Sequence, residues 1–346
     1  MNRTAGSLGA ELGTVESTTM MAIVQRAYGS ADVLAYQSVP RPTVGDDEVL
    51  VGVHASSINH ADWVYTNGRP LIARLAFGLG KPKADVRGKD VAGQVVALGR
   101  AVTQFRVGDE VYAEVEAGTF AEYVVVPARL LARKPANLTF EQAATVPLSA
   151  RTALQGLRDG GKIQPGQKVL INGASGGVGT FAVQIAKALG AEVTAVCSTR
   201  NVAMVQALGA DRVIDYTQTS FTDGDQRYDV IFDLIGNHSL TNLRRSLTNT
   251  GTLVLSSGTG GRVFGPMGRI IAALMRSPFV SQTLGVFPAV VGTEALDQLR
   301  ELIEAGKITP ALDKAYPLSE TPEAVRYFVE EHARGKIVIT IKEQEK

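Results

Sequence analysis

The chain has a single cysteine, Cys197, in 346 residues. That excludes an intramolecular disulfide framework and any cysteine-rich zinc site. Its place at the end of an apolar run reads as a buried small residue rather than a redox thiol. The chain also lacks a charge bias: 35 Lys and Arg face 34 Asp and Glu, for a net charge of +1. Nothing in that balance calls for nucleic acid or an anionic membrane as a bulk partner. No apolar run approaches the roughly 20 residues of a membrane span. Residues 1–20 lack both the apolar centre of a signal peptide and the Arg-rich, acid-poor character of a transit peptide. They read as a disordered leader on a cytoplasmic protein. No internal repeat or low-complexity tract interrupts the rest, and the length fits two domains.

What is present concentrates at Lys168–Gly190, KVLINGASGGVGTFAVQIAKALG. An apolar run, Val169–Ile171, enters a glycine-rich turn. Gly173, Gly176 and Gly179 are three apart, with Gly177 between them. A helical pattern follows, with Val178, Phe181, Ala182, Ile185 and Leu189 on one face. Strand, glycine turn and helix together hold a dinucleotide pyrophosphate. The glycines let the backbone approach the phosphates, and the helix N-terminus meets their charge. The turn residues Gly173, Ser175, Gly176, Gly177, Val178 and Gly179 are therefore the candidate phosphate cradle.

The context supports that reading. Glu192–Cys197 predicts a second strand and Asn201–Leu208 a second helix. Val213–Ile214, Tyr228–Leu234 and Gly251–Ser256 predict three more strands. Strands alternating with helices indicate a doubly wound parallel sheet. Its ligand contacts are expected beyond the strands' carboxyl ends, at Leu234–Gly236 (Leu234, Gly236), at Ser256 and Gly258, and at Leu284 and Phe287. No Asp or Glu lies between Glu192 and Asp211, where a carboxylate would hold the ribose hydroxyl of NAD. Ser198, Thr199 and Arg200 stand there instead. Hydroxyls and a guanidinium suit a 2′-phosphate, so NADPH is expected over NADH. Tyr216 is a candidate neighbour of the adenine or the 2′-phosphate.

The residues before the glycine turn have another style. Short alternating runs at Glu48–His54, Gly93–Leu98, Glu110–Ala113 and Phe120–Val126 predict an antiparallel β-rich unit opening near Met21. Phe140–Leu157 is helical. After Val291 come a helix at Thr293–Ala305 and a closing strand at Gly335–Ile341.

The order of segments resembles the medium-chain dehydrogenase/reductase superfamily, in its zinc-independent quinone oxidoreductase and enone reductase branch. The residues that carry the resemblance are Ser57–Trp63 (SINHADW), Gly88–Gly93 (GKDVAG), Val107–Tyr112 (VGDEVY), Gly118–Tyr123 (GTFAEY), the glycine turn, and the closing HARGKIV at 332–338. The resemblance implies an α/β protein with two parts. A GroES-like catalytic domain would span residues 21–146 and 291–346, and a Rossmann NADP-binding domain, inserted at 147–290, would complete it. The active site would lie between them, and a homodimer would form through an edge strand near Thr283–Val290.

Zinc-dependent relatives carry ligands at the positions of Asn59, Lys89 and a cysteine near Leu148–Ser149. An amide and an ammonium do not suit Zn²⁺, so no metal is expected. Without a Lewis acid, alcohol oxidation is the weaker reading. Hydride transfer to the β-carbon of a small apolar enone or enal, or to a quinone, fits better. Asn59, Lys89 and Tyr65 are the candidate donors to the developing enolate. Asn59 matches the family's site asparagine. Lys89 replaces a small or neutral residue, and its alternative role is a salt bridge to Asp62 or Asp90. Tyr65 sits one residue later than the family's substrate tyrosine. A non-catalytic NADPH-binding protein is the competing function.

Two segments, Arg69–Lys83 (RPLIARLAFGLGKPK) and Arg262–Phe279 (RVFGPMGRIIAALMRSPF), read as apolar, basic loops. They could wall a substrate pocket, pack as long loops, or lie on a membrane surface.

Overall fold

The computed structural model describes residues 18–256, 261, 263–287, 289–331 and 333–342. The expected leader therefore lies almost wholly outside the described residues, as do Gly258 and His332. The chain opens with the antiparallel pair β1 (Thr19–Gln25) and β2 (Leu34–Pro40). β3 (Glu48–Ile58) follows, then the helix α1 (His60–Asn67) and a single turn, α2 (Arg74–Phe77). Gly68 closes α1 in the left-handed conformation at φ 63°, where a Cβ would also meet the Tyr28 ring at 2.6 Å. Only glycine fits both demands.

Next come β4 (Asp90–Leu98), β5 (Glu110–Glu114), β6 (Tyr123–Pro127) and β7 (Ala132–Arg133). The expected run at Phe120–Val126 thus starts three residues later than its letters predict. The helical stretch resolves into α3 (Phe140–Ala143) and α4 (Pro147–Gln155), which ends in a wider turn at Gly156–Gly160.

The parallel sheet is built from β8 (Lys168–Asn172), β9 (Glu192–Cys197), β10 (Arg212–Asp215), β11 (Tyr228–Asp233), β12 (Leu247–Leu255) and β13 (Thr283–Gly285). Their order is β10-β9-β8-β11-β12-β13. Helices α5 (Gly177–Ala188), α6 (Val202–Ala207), α7 (Leu240–Arg245) and α8 (Met267–Arg276) connect them. Val169, Leu170 and Ile171 are fully buried because helices cover both faces of the sheet. The order reverses between β8 and β11, at the switch point that opens a ligand crevice.

α9 (Thr293–Glu304), β14 (Leu312–Pro317), α10 (Thr321–Glu330) and β15 (Lys336–Thr340) complete the chain. These last strands return to the first sheet, whose order is β14-β15-β3-β4-β5-β7 with β6 paired to β3. β15 runs antiparallel to β3, Ile337 opposite Ile58.

Arg262–Phe279 is not the loop its sequence suggests. Much of it is α8. Arg269 and Arg276 lie seven residues apart on one face of it, and apolar residues or glycine fill the other positions of MGRIIAALMR. No helix of the described residues is long and apolar enough to cross a membrane.

Candidate active site

The glycine turn is built as its spacing predicts. Gly176 is the N-cap of α5, and the first intrahelical bond is from Thr180 N to Gly176 O, 3.0 Å. The N–H groups of Gly177, Val178 and Gly179 precede it and have no partner within the helix. Gly173 has φ 90°, and a Cβ there would lie 2.7 Å from Ile235 Cδ1. A Cβ on Gly179 would lie 2.1 Å from Gly173 O, so helix and turn pack too closely for any side chain. The result is a cradle of free N–H groups at a helix N-terminus, which fits a dinucleotide pyrophosphate. Asn201 Nδ2 donates to Ser175 Oγ (3.0 Å) and to Ser198 Oγ (3.2 Å), tying the turn to the end of β9.

At that end, Ser198, Thr199 and Arg200 come together with exposed Tyr216. The Arg200 guanidinium donates to the Glu331 carbonyl at 2.7 Å, so it is anchored to the far side of the crevice. One carboxylate escaped the sequence reading. Asp215, at the end of β10, accepts from Thr199 Oγ1 at 2.5 Å and from Thr217 N at 3.0 Å. These hydrogen bonds hold its carboxyl below the usual range. The search for an acid stopped at the second strand, and only the sheet order sets β10 beside β9. Cys197 is buried, which pushes its thiol up to about 11 and keeps it protonated.

Beyond β11, Leu234 packs against the sheet core, and Gly236 N donates to Asp233 Oδ1 at 3.0 Å. Ser256 N is bonded to Asp233 O. The Leu284 side chain lies in the apolar core, which leaves only its backbone to face a ligand. Phe287 meets Phe232 edge-on, with ring centroids 6.2 Å apart.

A second cluster sits against the glycine turn. Asp90, fully buried at the start of β4, accepts from Ser57 Oγ (2.8 Å), Asn59 Nδ2 (2.9 Å) and Leu148 N (3.0 Å). Asn59 is the N-cap of α1, and its N–H donates to Asp62 Oδ2 at 2.8 Å. The Asn59 Oδ1 accepts from Lys336 Nζ at 2.5 Å and from Ser149 Oγ at 3.3 Å. Lys336 Nζ also donates to Ile58 O (3.1 Å) and stands 3.7 Å from Asp90 Oδ2. Burial of this ammonium lowers its pKa, and the neighbouring carboxylates oppose the shift. A Cβ on Gly177 would touch Lys336 Cδ at 3.0 Å and Ser149 Oγ at 3.4 Å. The cradle and this cluster are thus in van der Waals contact across one glycine. Sequence reasoning placed Lys336 in the closing segment without a role.

Asn59 is therefore engaged inside the protein rather than aimed into open space. Lys89 and Tyr65 form a separate pair. Lys89 Nζ lies 5.4 Å from the Tyr65 ring centre and 3.4 Å from the Glu116 carbonyl. The Tyr65 ring stacks on Phe77 at 3.5 Å, and burial pushes its hydroxyl up to about 12. Asp62, buried beside them, is pushed up to about 6 by burial, with the Asp90 charge adding to the shift. The hydrogen bond from Asn59 N and, less strongly, the Lys89 and Lys336 ammoniums draw it back down.

Two of the positions that hold zinc ligands in related enzymes meet here, since Asn59 Oδ1 accepts from Ser149 Oγ. The chemistry at the three positions is wrong for zinc: an amide, a hydroxyl and the ammonium of Lys89. Among the described residues, no group of three His, Cys, Asp or Glu could hold a metal.

Comparisons with known proteins identify the family. The "Alcohol dehydrogenase GroES-like domain" family matches residues 45–136, and the "Zinc-binding dehydrogenase" family matches residues 208–339. The chain is 34% identical to the chloroplastic NADPH-dependent alkenal/one oxidoreductase of Arabidopsis thaliana, over 92% of this chain and 79% of that protein. It is 32% identical to a chloroplastic quinone oxidoreductase of Triphysaria versicolor, over 92% and 98% of the two chains. The quinone oxidoreductase of Coxiella burnetii superposes with a TM-score of 0.81 at 28% identity, over 94% of this chain and all of that one.

Proposed function

We propose, for a chain that belongs to the quinone oxidoreductase and enone reductase branch of the medium-chain dehydrogenase/reductase superfamily, that it reduces α,β-unsaturated carbonyl compounds or quinones with NADPH and without zinc. The observation that carries this reading is the contact across Gly177. It sets the pyrophosphate cradle against the Asn59–Asp90–Lys336 cluster, with Tyr65 nearly two turns along α1 from Asn59 and Lys89 next to Asp90 in the chain. NADPH, when bound, supplies the hydride that adds to the substrate β-carbon.

The chain's own groups do the rest. The N–H groups of Gly177, Val178 and Gly179 bind the pyrophosphate. Arg200 and Ser198 take the 2′-phosphate, as their charge and hydroxyl suit it. The half-buried Lys89 ammonium stabilises the negative charge that grows on the carbonyl oxygen, where low water content strengthens it. A proton from water or a side chain then reaches the α-carbon, so one hydride and one proton are added across the double bond. Asn59 serves as an anchor that fixes the start of α1, since both ends of its amide are already bonded. β13 is an edge strand of the parallel sheet, and its free edge suits pairing with a second copy in a homodimer.

The test is NADPH oxidation, followed by absorbance, with 2-enones, 2-alkenals and a quinone side by side. Turnover is expected with NADPH well above NADH. Lys89→Met should lower kcat by about 100-fold with little change in cofactor binding. Arg200→Ala should cut the NADPH preference by about tenfold, the worth of one charged hydrogen bond. Tight NADPH binding with no turnover on any acceptor would instead support the non-catalytic reading.

A further inference from the structure

The two apolar, basic segments are neither simply packed nor walls of a closed pocket. They meet each other: Ile72 N donates to Val263 O at 3.1 Å, and a Cβ on Gly265 would strike Pro70 at 2.6 Å. α8 is apolar on both sides. Ala273 and Ile270 pack inward on the sheet core. On the opposite side, Ile271 is 53% and Met275 69% exposed, and Phe264 just before the helix is 61% exposed. Across the junction, Leu75 and Leu79 are 70% and 71% exposed. Side chains this open do not line a closed cavity. The two arginines of α8, Arg269 and Arg276, are seven residues apart on one face, so the exposed face is left wholly apolar. An exposed apolar patch of this kind marks an interaction site.

Charge narrows the partner. Residues 63–84 contain no Asp or Glu but carry Arg69, Arg74, Lys81 and Lys83. Residues 234–293, 60 in all, contain no Asp or Glu and five Arg. The chain's net charge of +1 conceals this, because its carboxylates lie elsewhere. Among these cations, Arg69, Lys81, Lys83 and Arg276 are exposed. Arg269 instead turns inward and pairs with buried Asp233. A protein partner would need acidic groups matched to each cation. A bilayer with anionic headgroups meets both the apolar centre and the carboxylate-free rim at once.

We propose that the face formed by Leu75, Leu79, Phe264, Ile271 and Met275 docks on an anionic lipid bilayer. Docking would turn the hydride-transfer cleft toward the lipid, because Phe77 of α2 stacks on Tyr65 and Arg269 of α8 binds Asp233 at the end of β11. On the reaction proposed above, the substrates would then be enones or quinones dissolved in the membrane.

The test is co-sedimentation of the full chain with vesicles of phosphatidylcholine alone or mixed with phosphatidylglycerol. Binding is expected only to the mixed vesicles, weakening as salt screens the headgroups. The double variant Leu79→Asp/Met275→Asp should lower the vesicle partition about tenfold or more. It should keep NADPH binding and turnover of a short, water-soluble 2-enone, while losing turnover of a long-chain 2-enone carried in vesicles. Wild-type protein that stays in the supernatant with both vesicles overturns the proposal, as does a variant that binds equally well. A variant that dissociates a dimer without any vesicle binding assigns the face to a second copy, and also overturns it. Vesicle binding with no turnover on any acceptor leaves docking standing and removes the reductase reading.

Discussion

The cluster under the glycine turn and the outer face of α8 break the same rule in opposite directions. At the first, a carboxylate, an amide and an ammonium are buried: Asp90, Asn59 and Lys336 are each at most 3% exposed. At the second, large apolar side chains stand in water. The buried groups are all paired with one another, so their desolvation is offset within the chain. The apolar face has no partner in its own chain among the described residues. The difference separates a problem the fold solves by itself from one that needs a second surface.

Three substitutions probe that contrast. Lys336→Met should have the largest effect. It leaves Asp90 and the Asn59 carbonyl without their cation, which should cost about 3–5 kcal/mol of folding stability. A urea titration followed by Trp63 fluorescence would read it. A cost near zero would mean the cluster is not a bonded unit, and the contrast would collapse.

Asp62 gives a smaller, pH-dependent effect. Its folded pKa of about 6 lies above the unfolded value of 3.8, so the folded state binds the proton more tightly. The group therefore destabilises the fold as pH rises through 6, and the penalty fades as pH falls. Between about pH 5 and pH 7 it should remove about 1 kcal/mol of stability. Burial sets it first, opposed by the hydrogen bond from Asn59 N, and the charges facing it are Asp90, Lys89 and Lys336. Asp62→Asn keeps an acceptor for Asn59 N and should flatten that slope in melts at both pH values. An unchanged slope would place the titration elsewhere.

Met275→Asp should do least, within about 0.5 kcal/mol, because the side chain is already in water. A large loss on thermal melting would show that the α8 face is covered after all.

Much of the fold was legible because its signals are local. The buried strands of the parallel sheet read as unbroken apolar runs, and Glu192–Cys197 matches β9 to the residue. The glycine turn was equally plain, since Gly173 and Gly179 each meet a local steric demand. Three things were not legible. α8 shows its helical period only through two arginines seven residues apart, between the Gly265–Pro266 and Pro278 that punctuate the segment as a loop. Asp215 reaches Thr199 only because β10 pairs with β9. Lys336 gains its partners only when β15 lies on β3, 278 residues away in the chain at its contact with Ile58. Periodicity reports what neighbours in sequence share, and these contacts depend on strand order.

β15 has a consequence for how the molecule is made. It is an interior strand, seated between β14 and β3, and its Gly335 N–H is bonded to Ser175 O in the glycine turn. A ribosome releases β3 nearly 300 residues before β15. The parallel sheet, by contrast, comes from one unbroken stretch and is complete once β13 has emerged. During synthesis the nucleotide-binding sheet can therefore close while the flank of β3 still lies open. The protein's vulnerable interval is the time between those two events, and the pairing of β15 with β3 ends it.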